Sequence, residues 1–444
     1  MMARCFELIS TISCVRLPIP PNSSALDDAV KCALPGAVLH PCRLPGPTTG
    51  YSCARKMYDL VSATNSTSTV PATTPACVPS STPEFAYVLT GYAVSMYTVN
   101  SCTGAFTATA PATIGTGYTY PQNDNSEEMV VDPLGRFAYV ANLVSNASSL
   151  STISMYTIDS TTGALTTTTP ATVPTGWFPQ EIAIDPLGRF VYTANTDDAT
   201  VSMFTINQST GVLTPTTPAS VSTLVSGESL SQPNFLTVDP TGNFLYVTAS
   251  LSDGAVVFMY TINQTSGLLT PTSPATVYTG GIPWQVVVAP SGKFAYVVNN
   301  DSGPEYGLGV WQFTVNSVTG VLTQNTPAAV AAGNAPTAIT VDPTSKYAYV
   351  VNRNDNTVSM YTIDPTTGTL TLNVSTANPT GTIATGNSPF RIHFDPTGKF
   401  VYVTNEGGIA ASIYTVNSDG TLSAAGTTGP TTGGGLSIAI TAVK

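Results

Sequence analysis

The sequence "IDPLGRFVYTAN" at residues 184–195 decides the fold, because it belongs to a repeat. A nearly identical sequence, "VDPLGRFAYVAN" at residues 131–142, occurs 53 residues earlier. The stretch contains an aromatic pair that recurs seven times, at spacings of 50 to 54 residues. A fixed period of this length is typical of solenoids, propellers and repeat arrays. The copies are Phe85/Tyr87, Phe137/Tyr139, Phe190/Tyr192, Phe244/Tyr246, Phe294/Tyr296, Tyr347/Tyr349 and Phe400/Tyr402.

Each period contains four short segments that are rich in β-branched and aromatic residues. Residues 181–221 show them best, as "EIAID", "FVYTAN", "VSMFTIN" and "LTPTTPASV". Turn residues separate the segments, since Pro186 presets φ and Gly188 accepts the left-handed conformation that closes a tight hairpin. Four antiparallel strands in each of seven units, without helical periodicity, predict an all-β chain that folds as a seven-bladed β-propeller.

The two ends of the repeat region complete one unit together. The unit that contains Phe85 has no convincing first strand before it, whereas "LSIAIT" at residues 436–441 follows "TTGGG" as a first strand follows its loop. Residues 84–113 supply strands two to four of this unit. We therefore predict a ring closed by a C-terminal strand that completes the first blade and leaves no terminal blade to cap.

Residues 1–80 differ in composition from the repeats. Six of the seven cysteines lie there, and only Cys102 lies within the repeats. An odd number of cysteines leaves at least one thiol unpaired or bridged to another chain. The absence of a C-x-x-C motif weakens any zinc or thioredoxin-like interpretation. We predict a loosely structured leader with cysteine and proline at residues 1–80, and the propeller at residues 81–444.

Charge and hydropathy limit the partners and the location of the chain. Its net charge is −11, so DNA, RNA and acidic membranes are repelled in the absence of a basic patch, and no nucleic-acid partner is expected. No apolar run approaches the length of a membrane span. Glu7 interrupts the one apolar stretch near the N-terminus, so a signal peptide is not evident. The low charged fraction of 9% suggests an extracellular or periplasmic protein, with the cytoplasm as the alternative.

One face of the predicted ring varies in sequence. The turns between first and second strands, and between third and fourth, repeat with little change. The loops between second and third strands and from blade to blade vary greatly, so we call their side the variable face and expect a site there. On it, the position four residues before the Asp of each "DP", or its equivalent, forms a ring at the channel mouth. Its members are Glu128, Glu181, Phe235, Gln285, Ala338, Arg391 and Ser437.

Further charged residues adjoin this ring. His393 is the only histidine in the repeats, and Arg353 and Glu406 begin second-to-third loops of neighbouring blades. In so weakly charged a chain, this grouping predicts a site for a small anionic ligand. The alternative is structural: Arg391 and Arg353 pair with Glu406 at the rim, and His393 is a core residue.

Other motifs and aromatic residues are less specific. Trp284, in a blade-to-blade loop beside Gln285, either stacks on a sugar ring or anchors the loop. The chain has no G-x-S-x-G or H-E-x-x-H motif and too few histidines for a three-histidine metal site. No metal is therefore expected, and the residues identify no cofactor.

The units resemble a known family at "DPTGKFVYVTNE", residues 395–406, and "VSMYTIDPTTGTL", residues 358–370. These motifs look like those of the bacterial seven-bladed lactonase family, which includes 6-phosphogluconolactonase-like proteins, and the likeness extends over residues 84–443. Members of that family carry Pro-Arg-His before a late "F-x-P-x-G". Here Arg391 and His393 stand one and two positions away from that pattern in "PFRIHFDP", whereas Glu406 matches the family's "N-E".

This resemblance implies hydrolysis of a lactone, such as that of a sugar acid. A carboxylate of Glu181 or Glu128, or His393, would then deprotonate water. Substrate binding would fall to Arg391 and Arg353, which hold an anionic group, and to Glu406, Gln285 and Trp284 around them. The alternative is a non-catalytic exported propeller that binds a glycan or a protein through its variable face. Convergence of the charged ring on one pocket would discriminate the two.

Overall fold

The computed structural model of the 444-residue chain separates into two compact units, Met1–Ala76 and Cys77–Lys444. In the first unit, β1 (Ser13–Arg16) pairs antiparallel with β2 (Val30–Ala33). The loose structure predicted for residues 1–80 falls mostly on residues outside the described part of the chain. The structure describes residues 13–16, 30–33, 77, 80, 82–117, 126–143, 151–225, 231–252, 254–300, 309–376, 378–407, 411–427 and 437–442.

The second unit is a ring of seven antiparallel sheets, which confirms the predicted seven-bladed β-propeller. Blade 1 consists of β3 (Glu84–Thr90), β4 (Ala93–Val99), β5 (Phe106–Gly115) and the last strand of the chain. Blades 2 and 3 consist of β6 (Ser126–Val131), β7 (Phe137–Asn142), β8 (Thr152–Ile158) and β9 (Leu165–Pro174), then β10 (Pro179–Ile184), β11 (Phe190–Asn195), β12 (Thr200–Ile206) and β13 (Leu213–Ser222).

The remaining blades repeat this order along the chain. Blades 4 and 5 consist of β14 (Ser231–Val238), β15 (Phe244–Leu251), β16 (Gly254–Ile262) and β17 (Leu269–Tyr278), then β18 (Pro283–Val288), β19 (Phe294–Asn299), β20 (Gly309–Val315) and β21 (Leu322–Val330). Blade 6 consists of β22 (Pro336–Val341), β23 (Tyr347–Asn352), β24 (Thr357–Ile363) and an outer edge split into β25 (Leu370–Leu372) and β26 (Thr382–Ala384). Blade 7 consists of β27 (Pro389–Phe394), β28 (Phe400–Asn405), β29 (Ala411–Val416) and β30 (Leu422–Thr427).

The last strand, β31 (Ser437–Ala442), closes the ring as predicted. It pairs antiparallel with β3, from Ser437 opposite Leu89 to Ala442 opposite Glu84. Ile438 is fully buried and packs in the cluster between blades 7 and 1. Both ends of the propeller therefore contribute to one sheet, and the inner edge of β3 is paired.

The repeated "DP" turns are structural. The buried carboxylate of Asp185 accepts the backbone N–H of Phe190 at 2.8 Å and forms an ion pair with Arg189 at 2.8 Å. Gly188 closes the turn at a φ of +64°, where a side chain is disfavoured. Asp132 and Arg136 repeat the ion pair in blade 2. These carboxylates are occupied by their own turn and lie on the side away from the variable face.

The aromatic pair that marks each unit joins neighbouring blades. The Tyr87 hydroxyl donates to the carbonyl of Gly163 in blade 2 at 2.9 Å, and the ring of Phe85 lies against the same glycine. A Cβ at Gly163 would approach Cδ1 of Phe85 to 2.3 Å, so this position accepts only glycine without rearrangement. Equivalent hydrogen bonds follow around the ring, from Tyr139, Tyr192, Tyr246, Tyr296, Tyr349 and Tyr402 to Gly211, Gly267, Gly320, Gly368, Gly420 and Gly104.

Candidate active site

The first strands of the blades meet at the centre of the ring, where they line a cavity of about 240 Å³. We call it the channel cavity. Glu128 from β6, Glu181 from β10, Arg391 and His393 from β27 and Gln285 from β18 all lie on its wall. Apolar side chains complete the wall, among them Ile184, Phe235, Phe394 and Ile438. The charged part of the predicted ring thus converges on one pocket.

Arg391 is held between two carboxylates in this cavity. Its Nε lies 3.1 Å from Oε2 of Glu128, and its Nη2 lies 3.2 Å from Oε2 of Glu181. All three residues are buried, so each carboxylate is costly to bury without the guanidinium. One positive and two negative charges leave this cluster with a formal charge of −1.

Ser437 is a member of the predicted ring for which the sequence indicates no role. Its hydroxyl donates to Oε1 of Glu128, which also accepts the backbone N–H of Met129 at 3.2 Å. Both carboxylate oxygens of Glu128 are therefore engaged, one by Arg391 and one by Ser437. The sequence does contain a signal for this contact, because Ser437 is the polar residue that the closing strand contributes to the predicted ring.

His393 is the histidine of the channel cavity. Burial lowers its pKa below the ordinary value of 6.5, and Arg391 adds to this effect while the charge of Glu128 opposes it. The imidazole is therefore neutral near pH 7. Its buried Nε2 has no hydrogen-bond partner among the described residues. A buried nitrogen left without a partner costs about 1–3 kcal/mol, so this atom is suited to bind a water or a ligand.

A second cavity, also of about 240 Å³, lies next to the first and shares Phe235 and Arg391 with it. We call it the mouth pocket. Its wall is aromatic: Trp284 and Phe390 are in edge contact with centroids 6.3 Å apart, and the Arg391 guanidinium lies over the rings of Phe390 and Phe235 at 4.9 and 5.2 Å. The remaining polar lining comes from Gln180, Asn234 and Arg353.

Arg353 and Glu406 form an ion pair at the rim of the mouth pocket. The structural alternative, in which both arginines pair with Glu406, is therefore correct for Arg353 and wrong for Arg391. Arg391 lies on the first strand β27, as Glu128 and Glu181 lie on the first strands β6 and β10, whereas Glu406 follows the second strand β28. Arg391 instead contacts the glutamates of blades 2 and 3.

Two predicted binding residues have different surroundings. The side-chain oxygen of Gln285 accepts the backbone N–H of Ile339 in the next blade at 2.6 Å, so this amide joins two blades as well as lining the channel cavity. Trp284 lies in the mouth pocket beside Phe390. The sequence does not predict a site role for four further residues of this pocket, Phe390, Phe235, Gln180 and Asn234. The one indication in the sequence is that each belongs to the predicted ring or lies next to one of its members.

Much of the variable face lies outside the described residues, including 118–125, 144–150, 226–230 and 301–308. Within the part of the chain that is described, no group of three or more His, Cys, Asp or Glu side chains is arranged to hold a metal ion. The described residues also contain no helix long and apolar enough to cross a membrane.

The ring of seven antiparallel blades and the charged cluster in its channel define a β-propeller with a buried polar cavity. The chain matches the family described as "Lactonase, 7-bladed beta-propeller" over residues 77–226 and 307–434. These two segments make up more than half of the chain, so it belongs to this family, as its motifs predicted. Family membership favours the lactonase interpretation over the non-catalytic alternative.

Individual relatives support the same assignment. The chain is 30% identical to the 6-phosphogluconolactonase of Bacillus subtilis (strain 168) over 203 residues, which are 44% of this chain and 54% of the relative. The match thus spans about half the length of that curated relative. Among solved structures, the periplasmic gluconolactonase of Pseudomonas aeruginosa is 19% identical with a TM-score of 0.61, over 82% of this chain and 100% of the other. A protein from Lactobacillus plantarum is 21% identical with the same TM-score and coverage. Both structural likenesses show the fold.

Proposed function

We propose that this chain hydrolyses the lactone of a sugar acid in the channel cavity and its mouth pocket. The observation that carries the proposal is the convergence of Glu128, Glu181, Arg391 and His393 on one cavity, in a chain in which only 9% of residues are charged. Membership of the lactonase family supports the reaction class. The B. subtilis 6-phosphogluconolactonase supports a lactone as the substrate.

His393 is the general base in this mechanism. The sequence predicts Glu128, Glu181 or His393 for this role, but the structure has both carboxylates bound to the Arg391 guanidinium. His393 is neutral near pH 7 because burial lowers its pKa, and its Nε2 has no partner among the described residues. A neutral imidazole with an available nitrogen accepts the proton of an attacking water.

Arg391 stabilises the negative charge that develops on the carbonyl oxygen. Its Nη1 is buried and has no hydrogen-bond acceptor among the described residues, whereas Nε and Nη2 are bound by the two glutamates. Glu128 and Glu181 position the guanidinium and keep it from turning. A donor fixed before the reaction needs no reorganisation as charge builds up, and such donors contribute about 3–4 kcal/mol to transition-state stabilisation.

The reaction is then a two-step hydrolysis. Water adds to the lactone carbonyl carbon while His393 takes its proton, and the carbonyl oxygen becomes an oxyanion beside Arg391. The carbon–oxygen bond of the ring breaks, and the ring oxygen leaves with the proton from His393. The product is the open hydroxy acid, which loses one proton to the solvent at neutral pH.

The test is hydrolysis of D-glucono-1,5-lactone followed by acid release in a pH-stat, with the spontaneous rate subtracted. We expect turnover by the wild type and a loss of at least about 100-fold in His393→Gln, since a general base contributes about 10²–10⁴. The matched control is His40→Gln, which replaces the other histidine of the chain and leaves turnover unchanged. Full activity of His393→Gln would contradict the assigned base, and no turnover of any sugar lactone by the wild type would overturn the proposed function.

We also propose that the chain works outside the cytoplasm, which is supported by the disulfide between Cys77 and Cys102. Disulfides persist in oxidising compartments and are rare in cytosolic proteins. Mass spectrometry of the protein alkylated at once after isolation from its native host tests this. Two alkylated thiols at these positions would contradict it.

A further inference from the structure

Both arginines of the site are already neutralised by carboxylates. Arg391 lies between Glu128 and Glu181, and Arg353 pairs with Glu406. Two positive and three negative charges leave this group with a formal charge of −1, and His393 is neutral near pH 7. The structure therefore does not offer the anionic ligand, which the sequence predicts, an uncompensated arginine.

The rest of the variable face adds negative charge. The described turns there carry Asp197, Asp198 and Asp355. The other cations of residues 84–443 stand in the repeated turns of the opposite face, and they are Arg136, Arg189, Lys293, Lys346 and Lys399.

We propose that the substrate is an uncharged, hydroxylated lactone and that a phosphorylated one is rejected. This inference rests on the proposed lactone hydrolysis and names its substrate class. A phosphate monoester carries a charge of about −1.5 to −2 at pH 7. An acidic face around the entrance lowers the local concentration of such an anion and slows its association.

The mouth pocket has the groups that an uncharged sugar lactone needs. Trp284, Phe390 and Phe235 present apolar aromatic surface to the C–H groups of a ring, and Gln180 and Asn234 present amides to its hydroxyls. A largely apolar wall with a few placed polar groups is the usual composition of a small-molecule site. The two arginines of its lining, Arg391 and Arg353, are each paired with glutamates that lie outside the lining, so the pocket offers groups for hydroxyls without an uncompensated cation.

The experiment compares kcat/KM for D-glucono-1,5-lactone and its 6-phosphate with the full-length protein. We expect at least a tenfold preference for the uncharged lactone at about 10 mM ionic strength, where charges act over about 30 Å. The preference narrows at about 150 mM salt because only the phosphorylated substrate gains from screening. A preference for the phosphorylated lactone, or equal rates at low salt, would overturn the inference.

Two variants separate the rim arginine from the general field. Glu406→Gln removes the partner of Arg353, so we expect the relative rate on the phosphorylated lactone to rise at least fivefold. Asp197→Asn makes the same charge change at an exposed position of the same face, and its effect should be below twofold. Equal effects of the two variants would refute the neutralisation of Arg353 as a cause of rejection.

Binding of unreactive analogues tests the preference for an uncharged substrate even if no lactone is hydrolysed. Gluconolactam and 6-phosphogluconolactam are unreactive analogues, and calorimetric titration should detect the uncharged one alone. If neither lactone is hydrolysed but gluconolactam binds, the proposed function fails and the selectivity stands. If the phosphorylated lactam binds more tightly, the selectivity fails whatever the turnover. If neither lactam binds and neither lactone is hydrolysed, the proposed function and the selectivity both fail.

Discussion

The glycine of the third-to-fourth turn sets how closely two blades approach, and its substitution gives a quantitative test of the ring. We predict that Gly163→Ala destabilises the propeller much more than Gly188→Ala. The two glycines have nearly the same backbone, with φ of +70° and +64°. Alanine at such a φ costs about 1–2 kcal/mol at either position. The comparison therefore cancels the backbone cost.

The surroundings of the two positions differ. A Cβ at Gly163 would lie 2.3 Å from Cδ1 of Phe85, whereas a Cβ at Gly188 would have no neighbour closer than 3.4 Å. Forcing the ring of Phe85 aside costs about 1–3 kcal/mol. Loss of the hydrogen bond from Tyr87 to the Gly163 carbonyl adds about 0.5–1.5 kcal/mol. We expect about 1–2 kcal/mol for Gly188→Ala and about 2.5–6.5 kcal/mol for Gly163→Ala.

The measurement is urea unfolding followed by tyrosine and tryptophan fluorescence, with free energies compared at equal slope. Phe85→Ala in the Gly163→Ala background should recover at least about 1 kcal/mol relative to the sum of the single changes, because the two side chains compete for one space. Equal destabilisation by Gly163→Ala and Gly188→Ala, or strict additivity of the double variant, would refute this account of blade packing.

Four further predictions concern the site and the strand that closes the ring. Activity on D-glucono-1,5-lactone should fall on the acid side with a midpoint below pH 6.5, because burial lowers the pKa of His393 and only its neutral form accepts a proton; a midpoint at or above 6.5 would contradict the burial argument. The same group should make the fold less stable as pH falls below about 6.5, since the unfolded state then binds the proton more readily, and pH-dependent melting of wild type against His393→Gln tests this. Ser437→Ala should lower kcat about 3- to 10-fold with KM unchanged while Ser437→Thr retains most of it, and equal loss in both would show that the hydroxyl does not position Glu128. Deletion of residues 434–444 removes β31 and should abolish cooperative melting, so a truncated chain that melts like the intact one would show that the seam lies elsewhere.

The fold could be predicted because its determinants are local. The strand segments, the "DP" turns and the period are each readable within a few residues, and closure follows from counting first strands. The role of the aromatic pair was not readable in the same way. Phe85 and Tyr87 contact Gly163, which lies more than seventy residues away, and only the curvature of the ring brings them together.

The position of the site could be predicted from the sequence, but the ion-pair partners of its charged residues could not. Register alone places Glu128, Glu181 and Arg391 at the channel, because each precedes its turn by the same number of residues. The choice of partner for Arg391 depends on which side chains face it across the channel and on their rotamers, neither of which is written in the local sequence. Charge compensation at the site, and with it the expected substrate, therefore needed the three-dimensional structure.

The contact between Ser437 and Glu128 joins residues 309 positions apart in the chain. During synthesis, the six blades that are continuous in sequence emerge from the ribosome before the strand that carries Ser437. The carboxylate that holds Arg391 therefore receives its last partner only when the C-terminal strand docks. A propeller whose translation stopped early would contain nearly every blade and still lack this contact, so a complete hydrogen-bond network around Glu128 indicates that the whole ring was made.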